Sequence, residues 1–208
     1  LIVLYLFLWP TPVEPVSWEP PGPINKELYA PNQALAGVER IDLPFGSGPD
    51  DIDVDAQGRI YGGLHDGRIV RFNADGSFLD IFAETGGRPL GLTFDQHQNL
   101  IVCDAWKGLL SIDSTGAITT LVLEIDGKPM LFTDDVDIAD DGNITFSVAS
   151  TKFTQPEYSF DAVDRGPNGR LLVYDPATQA TEVLLDDLVF ANGIAIAPDQ
   201  SFVLINET

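Results

Sequence analysis

From residue 48 onward the chain is written in short apolar runs that alternate with polar positions, each broken by a turn rich in Asp, Asn, Gln and Gly. The stretches "GPDDIDVDAQGRIYGG" (48–63), "GRPLGLTFDQHQNLIVCD" (87–104), "FTDDVDIADDGNITFSV" (132–148) and "FANGIAIAPDQSFVLINE" (190–207) share this grammar. Val54, Phe94, Ile138 and Ile196 hold equivalent positions in them, 40, 44 and 58 residues apart. Two further strand-like runs follow each of the first three: "GRIVRFN" and "SFLDIFA", "GLLSIDS" and "ITTLVLE", "GRLLVYD" and "TEVLLDD". Four short strands in roughly 40–45 residues is the rhythm of a β-propeller blade. The predicted fold is all-β, with three complete blades and the beginning of a fourth. No stretch sustains a helical period with caps, so no helix is predicted. The longer last spacing holds an insertion, about 151–168, between the second and third strands of its blade. It is expected as a surface loop or as a loop over a pocket mouth.

The N-terminal end reads differently. "LIVLYLFLW" is apolar throughout but, at nine residues, falls short of the roughly 20 that span a bilayer. Residues 1–9 are expected to be the end of a hydrophobic anchor or signal segment, and residues 10–36, Pro-rich, an extended tether. Residues 37–208 are then the N-terminal part of a propeller, with blade repeats beginning near 48, 87, 132 and 190. "SFVLINET" stops inside a predicted strand, which suggests a chain that continues. The expected location is membrane-anchored or secreted, with the propeller on the extracytoplasmic side and the membrane touched only through the N-terminal anchor.

Charge narrows the partners. With 32 acidic against 11 basic residues the net charge is −21, which argues against nucleic acid or an anionic membrane surface. Cations and neutral small molecules remain, beside the plainer reading of a solvated acidic surface. Cys103, the single cysteine, sits in "NLIVCDAW" and is expected in the core.

Five carboxylates crowd into "LFTDDVDIADDGNITFSV": Asp134, Asp135, Asp137, Asp140 and Asp141. An EF-hand is rejected, because aligning Gly142 with the loop glycine puts Ala139 and Val148 at the third and twelfth ligand positions. Asp140 and Asp141 are explained by the turn before Gly142. Asp53 and Asp137 alternate with apolar neighbours and could face solvent or an adjoining blade. The first strand of each blade lines a propeller's channel, so its entry residues converge: Asp50 and Asp51, Arg88 and Leu90, Asp134 and Asp135, Asn192. Three of those four points offer side-chain oxygens at one height, which suits a hard divalent ion, above all Ca²⁺.

"GPDDIDVDAQGRIYGGLHDGRIVRF", "GRPLGLTFD", "FTDDVDIADDGNITF" and "GRLLVYDPATQATEVLLDDLVFANGIAIAPDQSFVLINET" resemble the strictosidine synthase-like branch of six-bladed β-propellers. That branch takes in the adipocyte plasma-membrane-associated type and is related to the gluconolactonase (senescence-marker) family and, more distantly, to paraoxonases. The resemblance covers about residues 10–208. It implies a metal held at Asp50, Asp134 and Asn192, with Asp standing for the usual Glu at position 50 and for the usual Asn at 134. The paraoxonase histidine would fall near Leu90, so that proton relay is not expected; His65 and His97 lie on turns. The expected activity is metal-dependent hydrolysis of lactones or related esters, with Asp135 a supporting group or general base. For Asp135 the alternative is a structural hydrogen bond to a neighbouring blade. Two other functions stay open: a non-enzymatic, membrane-tethered binding scaffold with a structural metal, and strictosidine synthase-type condensation, whose glutamate would lie beyond Thr208.

Overall fold

The computed structural model of the chain describes residues 2–17, 19, 22 and 30–208. Three four-stranded antiparallel sheets follow one another, each with its strands in sequence order. The first holds β1 (Ile52–Val54), β2 (Ile60–Gly63), β3 (Arg68–Phe72) and β4 (Phe78–Glu84). The second holds β5 (Pro89–Phe94), β6 (Leu100–Asp104), β7 (Gly108–Ile112) and β8 (Ile118–Val122). A short hairpin, β9 (Glu124–Ile125) and β10 (Lys128–Pro129), leads to the third sheet: β11 (Phe132–Ile138), β12 (Ile144–Ser150), β13 (Gly169–Asp175) and β14 (Ala180–Leu188). A two-stranded sheet, β15 (Ala191–Ile196) with β16 (Val203–Glu207), begins the fourth. The first strands β1, β5, β11 and β15 lie each against the next, as the innermost strands of successive propeller blades must.

Val54, Phe94, Ile138 and Ile196 each close the first strand of their sheet, paired with Ile60, Leu100, Ile144 and Val203. The turns between those pairs share one chemistry. In the first, the Asp55 carboxylate accepts the amides of Gln57 and Arg59, and Gly58 takes the left-handed conformation that closes it, which a residue without Cβ adopts at least cost.

Second strands are the most buried: every residue of β6 and β12 is shielded, because a blade packs on both of their faces. This explains their nearly continuous apolar sequence. Tyr61, Leu92, Val102 and Leu110 belong to the core between the first two blades; Cys103, Val136, Phe146 and Leu172 to that between the second and third. Cys103 is fully buried, its thiol donates to the Asp135 carbonyl at 3.3 Å, and burial pushes its pKa well up. It is a packing residue.

A second set of bonds joins the blades at their inner strands. Asp51, just before β1, and Asp53 on β1 accept the amides of Leu92 (3.2 Å) and Phe94 (2.8 Å) on β5. Asp135 and Asp137 on β11 accept those of Ile194 and Ile196 on β15, both at 2.7 Å. Each carboxylate spends its other oxygen on the amide that follows it in its own strand. Turn glutamines repeat the pairing: Gln98 accepts the Ala56 amide and Gln200 the Asp140 amide. Between the second and third blades Gly91 stands where the first blade has Asp51. A Cβ there would lie 2.6 Å from Asp135 Cα and 2.9 Å from the Asp134 carbonyl oxygen. The blades therefore alternate between those that present the accepting carboxylates of this clamp and close-packed ones that donate the amides. Asp137→Ala leaves two amides unpaired and should cost about 2 kcal/mol, lowering the melting midpoint by about 4–8 °C in differential scanning calorimetry.

Among the described residues two helices depart from the all-strand expectation. Residues Ile2–Leu8 form α1, with its described side chains exposed; no helix among the described residues is long and apolar enough to cross a membrane. Of the expected tether, residues 18, 20, 21 and 23–29 lie outside the described residues. The insertion is a 3₁₀ turn, Gln155–Glu157, running into α2 (Tyr158–Asp164). Glu157 Oε2 accepts from both the amide and the hydroxyl of Thr154, which starts the turn. Its periodicity was hidden because the inward positions of α2 are acidic, Asp161 and Asp164.

Candidate functional site

Of the entry residues of the first strands, those of the first, third and fourth blades come together. Asp50, Asp134 and Asn192 line one cavity of ≈ 390 Å³ together with Asp51, Asp53, Asp135 and the inner-strand residues Gly91, Leu92, Thr93 and Ile194. Asp134 is third in β11 and Asn192 second in β15, while Asp50 lies two residues before β1. The equivalent residue of the second blade is Leu90, which is buried in an apolar cluster with Ala105, Phe132 and Ala149. His65 and His97 are exposed on turns.

Asp134 is the electrostatic centre. It is almost fully buried, and its Oδ2 has no hydrogen-bond partner. Burial first, then the charges of Asp50 and Asp135, push its pKa up to about 7, against the opposing pull of Arg88. Asn192 donates its amide N–H to the Thr208 hydroxyl at 3.0 Å, so its carbonyl oxygen is the free end. Asp50 is half exposed, with an oxygen 3.7 Å from an Arg88 guanidinium nitrogen. Asp135 is occupied on both oxygens by the amides of Val136 and Ile194. Its pKa is still raised, chiefly by burial, with Asp51 and Asp137 adding to it.

Sequence reasoning noted Arg88 only as an entry residue and assigned it no role. It is buried, donates from Nη1 to the Pro89 carbonyl at 2.6 Å, and leaves Nε without a partner. The charges of Asp50, Asp104 and Asp134 hold its pKa up against the stronger effect of burial. An arginine opening a strand that is otherwise apolar, "RPLGLTF", was the available signal.

The donor set fits a hard cation in kind: two carboxylates and an amide oxygen, one carboxylate oxygen buried without a partner. Among the described residues no three His, Cys, Asp or Glu side chains form a ligand group by themselves, so the amide of Asn192 is needed to complete a set of three. Arg88 already supplies one positive charge beside it.

Comparison with known proteins places the chain among relatives. The family described as "Strictosidine synthase" matches residues 134–208, and "Strictosidine synthase-like, N-terminal" matches residues 28–72. Strictosidine synthase-like protein 4 of Arabidopsis thaliana is 42% identical over 180 residues, covering 84% of this chain and 49% of its own. The mouse adipocyte plasma membrane-associated protein is 33% identical, covering 98% of this chain and 53% of its own. The chain thus spans about half the length of the curated relatives it matches. Among solved structures, a gluconolactonase of Xanthomonas campestris superposes with a TM-score of 0.61 at 21% identity, covering 74% of this chain and 52% of that one. Streptogramin B lyase gives 0.60 at 13% identity, covering 81% and 51%. At such identities the solved structures speak for the fold alone. The chain belongs to the strictosidine synthase-like family of six-bladed β-propellers.

Proposed function

We propose that this chain carries the cation-binding half of a Ca²⁺-dependent hydrolase of lactones or related esters, attached to a membrane through its N-terminal segment. The observation that carries this reading is the buried, unpartnered Oδ2 of Asp134 beside Asp50 and the free carbonyl oxygen of Asn192. Asp50, Asp134 and Asn192 would hold the ion. When bound, such an ion polarises a carbonyl oxygen and acidifies water.

The chain's own residues set the stage for that chemistry. Asp134 offers a carboxylate that desolvation has made hungry for positive charge. Arg88 offsets part of the repulsion between Asp134 and Asp50, which lets both stay near one point. Asp135 is a positioning residue: by binding the Ile194 amide it fixes β15, and with it Asn192 two residues earlier. The name of the mouse relative supports membrane association, and the exposed apolar side chains of α1 are suited to it.

The test is a hydrolysis screen of lactones and aryl esters on the full-length protein loaded with Ca²⁺, then stripped by chelator. Activity that disappears on chelation and returns with Ca²⁺ supports the reading. A proton competes with the ion for Asp134, so Ca²⁺ affinity should weaken by about tenfold per pH unit below the group's pKa near 7 in calorimetric titrations. Affinity flat from pH 8 to pH 5 would remove Asp134 from the site.

A second reading, a binding scaffold with a structural ion, is favoured by one observation. Both oxygens of Asp135 are held by backbone amides, so the group the sequence offers as a base is already engaged. Ca²⁺ binding that stabilises the full-length protein, with no turnover in the screen, would establish the scaffold instead.

A further inference from the structure

Helix α2 is turned inside out. A surface helix normally buries an apolar stripe and shows water its charges. In "YSFDAVD" the two acids point inward, Asp161 at 1% and Asp164 at 2% exposure, while Tyr158, Phe160 and Val163 stand 56%, 42% and 61% exposed. Burying carboxylates is costly unless they are paired, and Asp164 is: both its oxygens bind Lys152, one also takes the Asn168 amide, and the other the backbone amide of Glu14. The Asp164 carbonyl also accepts the Val16 amide at 3.0 Å. Asp164 thus pins the segment that descends from α1, some 150 residues away in sequence.

This pinned corner lies at the cavity's end of the molecule. β11 enters at the cavity, β12 returns antiparallel with Ser150 paired to Phe132, and the insertion leaves directly after Ser150, two residues from the level of Asp134. The six residues from Leu8 to Glu14 reach at most about 20 Å. The exposed apolar helix α1 is therefore tied within about 20 Å of its anchor on α2, at the end of the blade where Asp134 enters β11.

We propose that this face lies on a membrane, with Tyr158, Phe160 and Val163 entering the headgroup boundary beside α1, so that the cavity opens toward the lipid. Aromatic and aliphatic side chains without charge are what that boundary accepts. The exposed residues of α2 (Tyr158, Ser159, Phe160, Ala162 and Val163) carry no charge, which fits zwitterionic lipid and avoids the repulsion that a chain of net charge −21 would meet on an anionic surface. The cavity would then receive lipophilic molecules that partition from the bilayer. This inference rests on the membrane attachment proposed above and not on the hydrolase reading.

The test places an environment-sensitive fluorophore on Val163→Cys or on Ala177→Cys of the full chain; Cys103, fully buried, is not labelled. Residue 177 follows β13 at the opposite end of the blade. With phosphatidylcholine vesicles, the protein should float, and the label at 163 should brighten severalfold and be quenched by spin-labelled lipid, while that at 177 changes little. Adding Tyr158→Asp and Phe160→Asp should abolish quenching at 163 without preventing flotation through α1. Flotation with no quenching at 163 would overturn the orientation and spare the attachment; no flotation would overturn both. A label at 163 shielded before vesicles are added, with a doubled mass in light scattering, would give the face to a second copy of the chain and overturn the lipid.

Discussion

Asp134→Ala should weaken Ca²⁺ binding by at least ~100-fold, more than the 10–100-fold that loss of an outer partner costs a metal site. The variant removes the only carboxylate of the site that is both buried and unpartnered. Asp134→Asn keeps an oxygen and drops the charge, so its loss should be smaller. Protein without ion separates this effect from damage to the fold. Desolvation raises the folded-state pKa of Asp134 from 3.8 to about 7, so between those values the folded state holds a proton that the unfolded state has lost. Stability without Ca²⁺ therefore falls as pH rises through that window and stays low above it. Asp134→Asn has no charge to bury, so without Ca²⁺ it should melt higher than the parent at pH 8 and about equal to it at pH 4. Thermal melts at both pH values, with and without Ca²⁺, read this directly. A variant that binds Ca²⁺ as tightly as the parent would locate the ion elsewhere.

The second large effect is steric. Gly91→Ala inserts a methyl group where the backbones of two blades touch, 2.6 Å from Asp135 Cα and 2.9 Å from the Asp134 carbonyl oxygen. Neither is the end of a flexible side chain, so the blades must part. Overpacking costs typically 1–3 kcal/mol, and with backbone on the far side the upper end, about 3 kcal/mol, is expected. That corresponds to a drop of about 6–12 °C in melting midpoint for a chain of this size. Because the displaced strand carries Asp134, Ca²⁺ affinity should fall with it. Gly37→Ala meets nothing within 4 Å and should leave both unchanged. A Gly91→Ala protein that melts with the parent would show that the blades are looser than this contact requires.

The repeat was legible because it is local: each turn is built from residues within four positions, as at Asp55, and each apolar run pairs with its sequence neighbour. Convergence of Asp50, Asp134 and Asn192 followed from that repeat once the first strands were taken as innermost. What escaped was whatever depends on partners far along the chain. Asp53 and Asp137 alternate with apolar residues in the same way whether they meet water or an amide, and only the packing of β5 and β15 gives them the amide. Asp135 offered two readings in the sequence, base or brace, and in the structure both of its oxygens bind backbone amides. Arg88 needed three carboxylates from three places, Asp50, Asp104 and Asp134, to become part of the site. α2 concealed itself by inverted polarity, although Thr154 and Glu157 spelled out a helix start.

The alternation of clamping and receiving blades has an arithmetic consequence. Asp51 and Asp53 recur as Asp135 and Asp137 two blades later, and Gly91 recurs as Gly193, so the unit that repeats is a pair. A closed circle of such pairs has even parity. Six blades satisfy it as three identical couples, whereas five or seven would force two receivers, or two clamps, side by side at one seam. The rule by which blades grip one another would then restrict how many can sit in the ring, and gain or loss of a single blade would cost more than gain or loss of two.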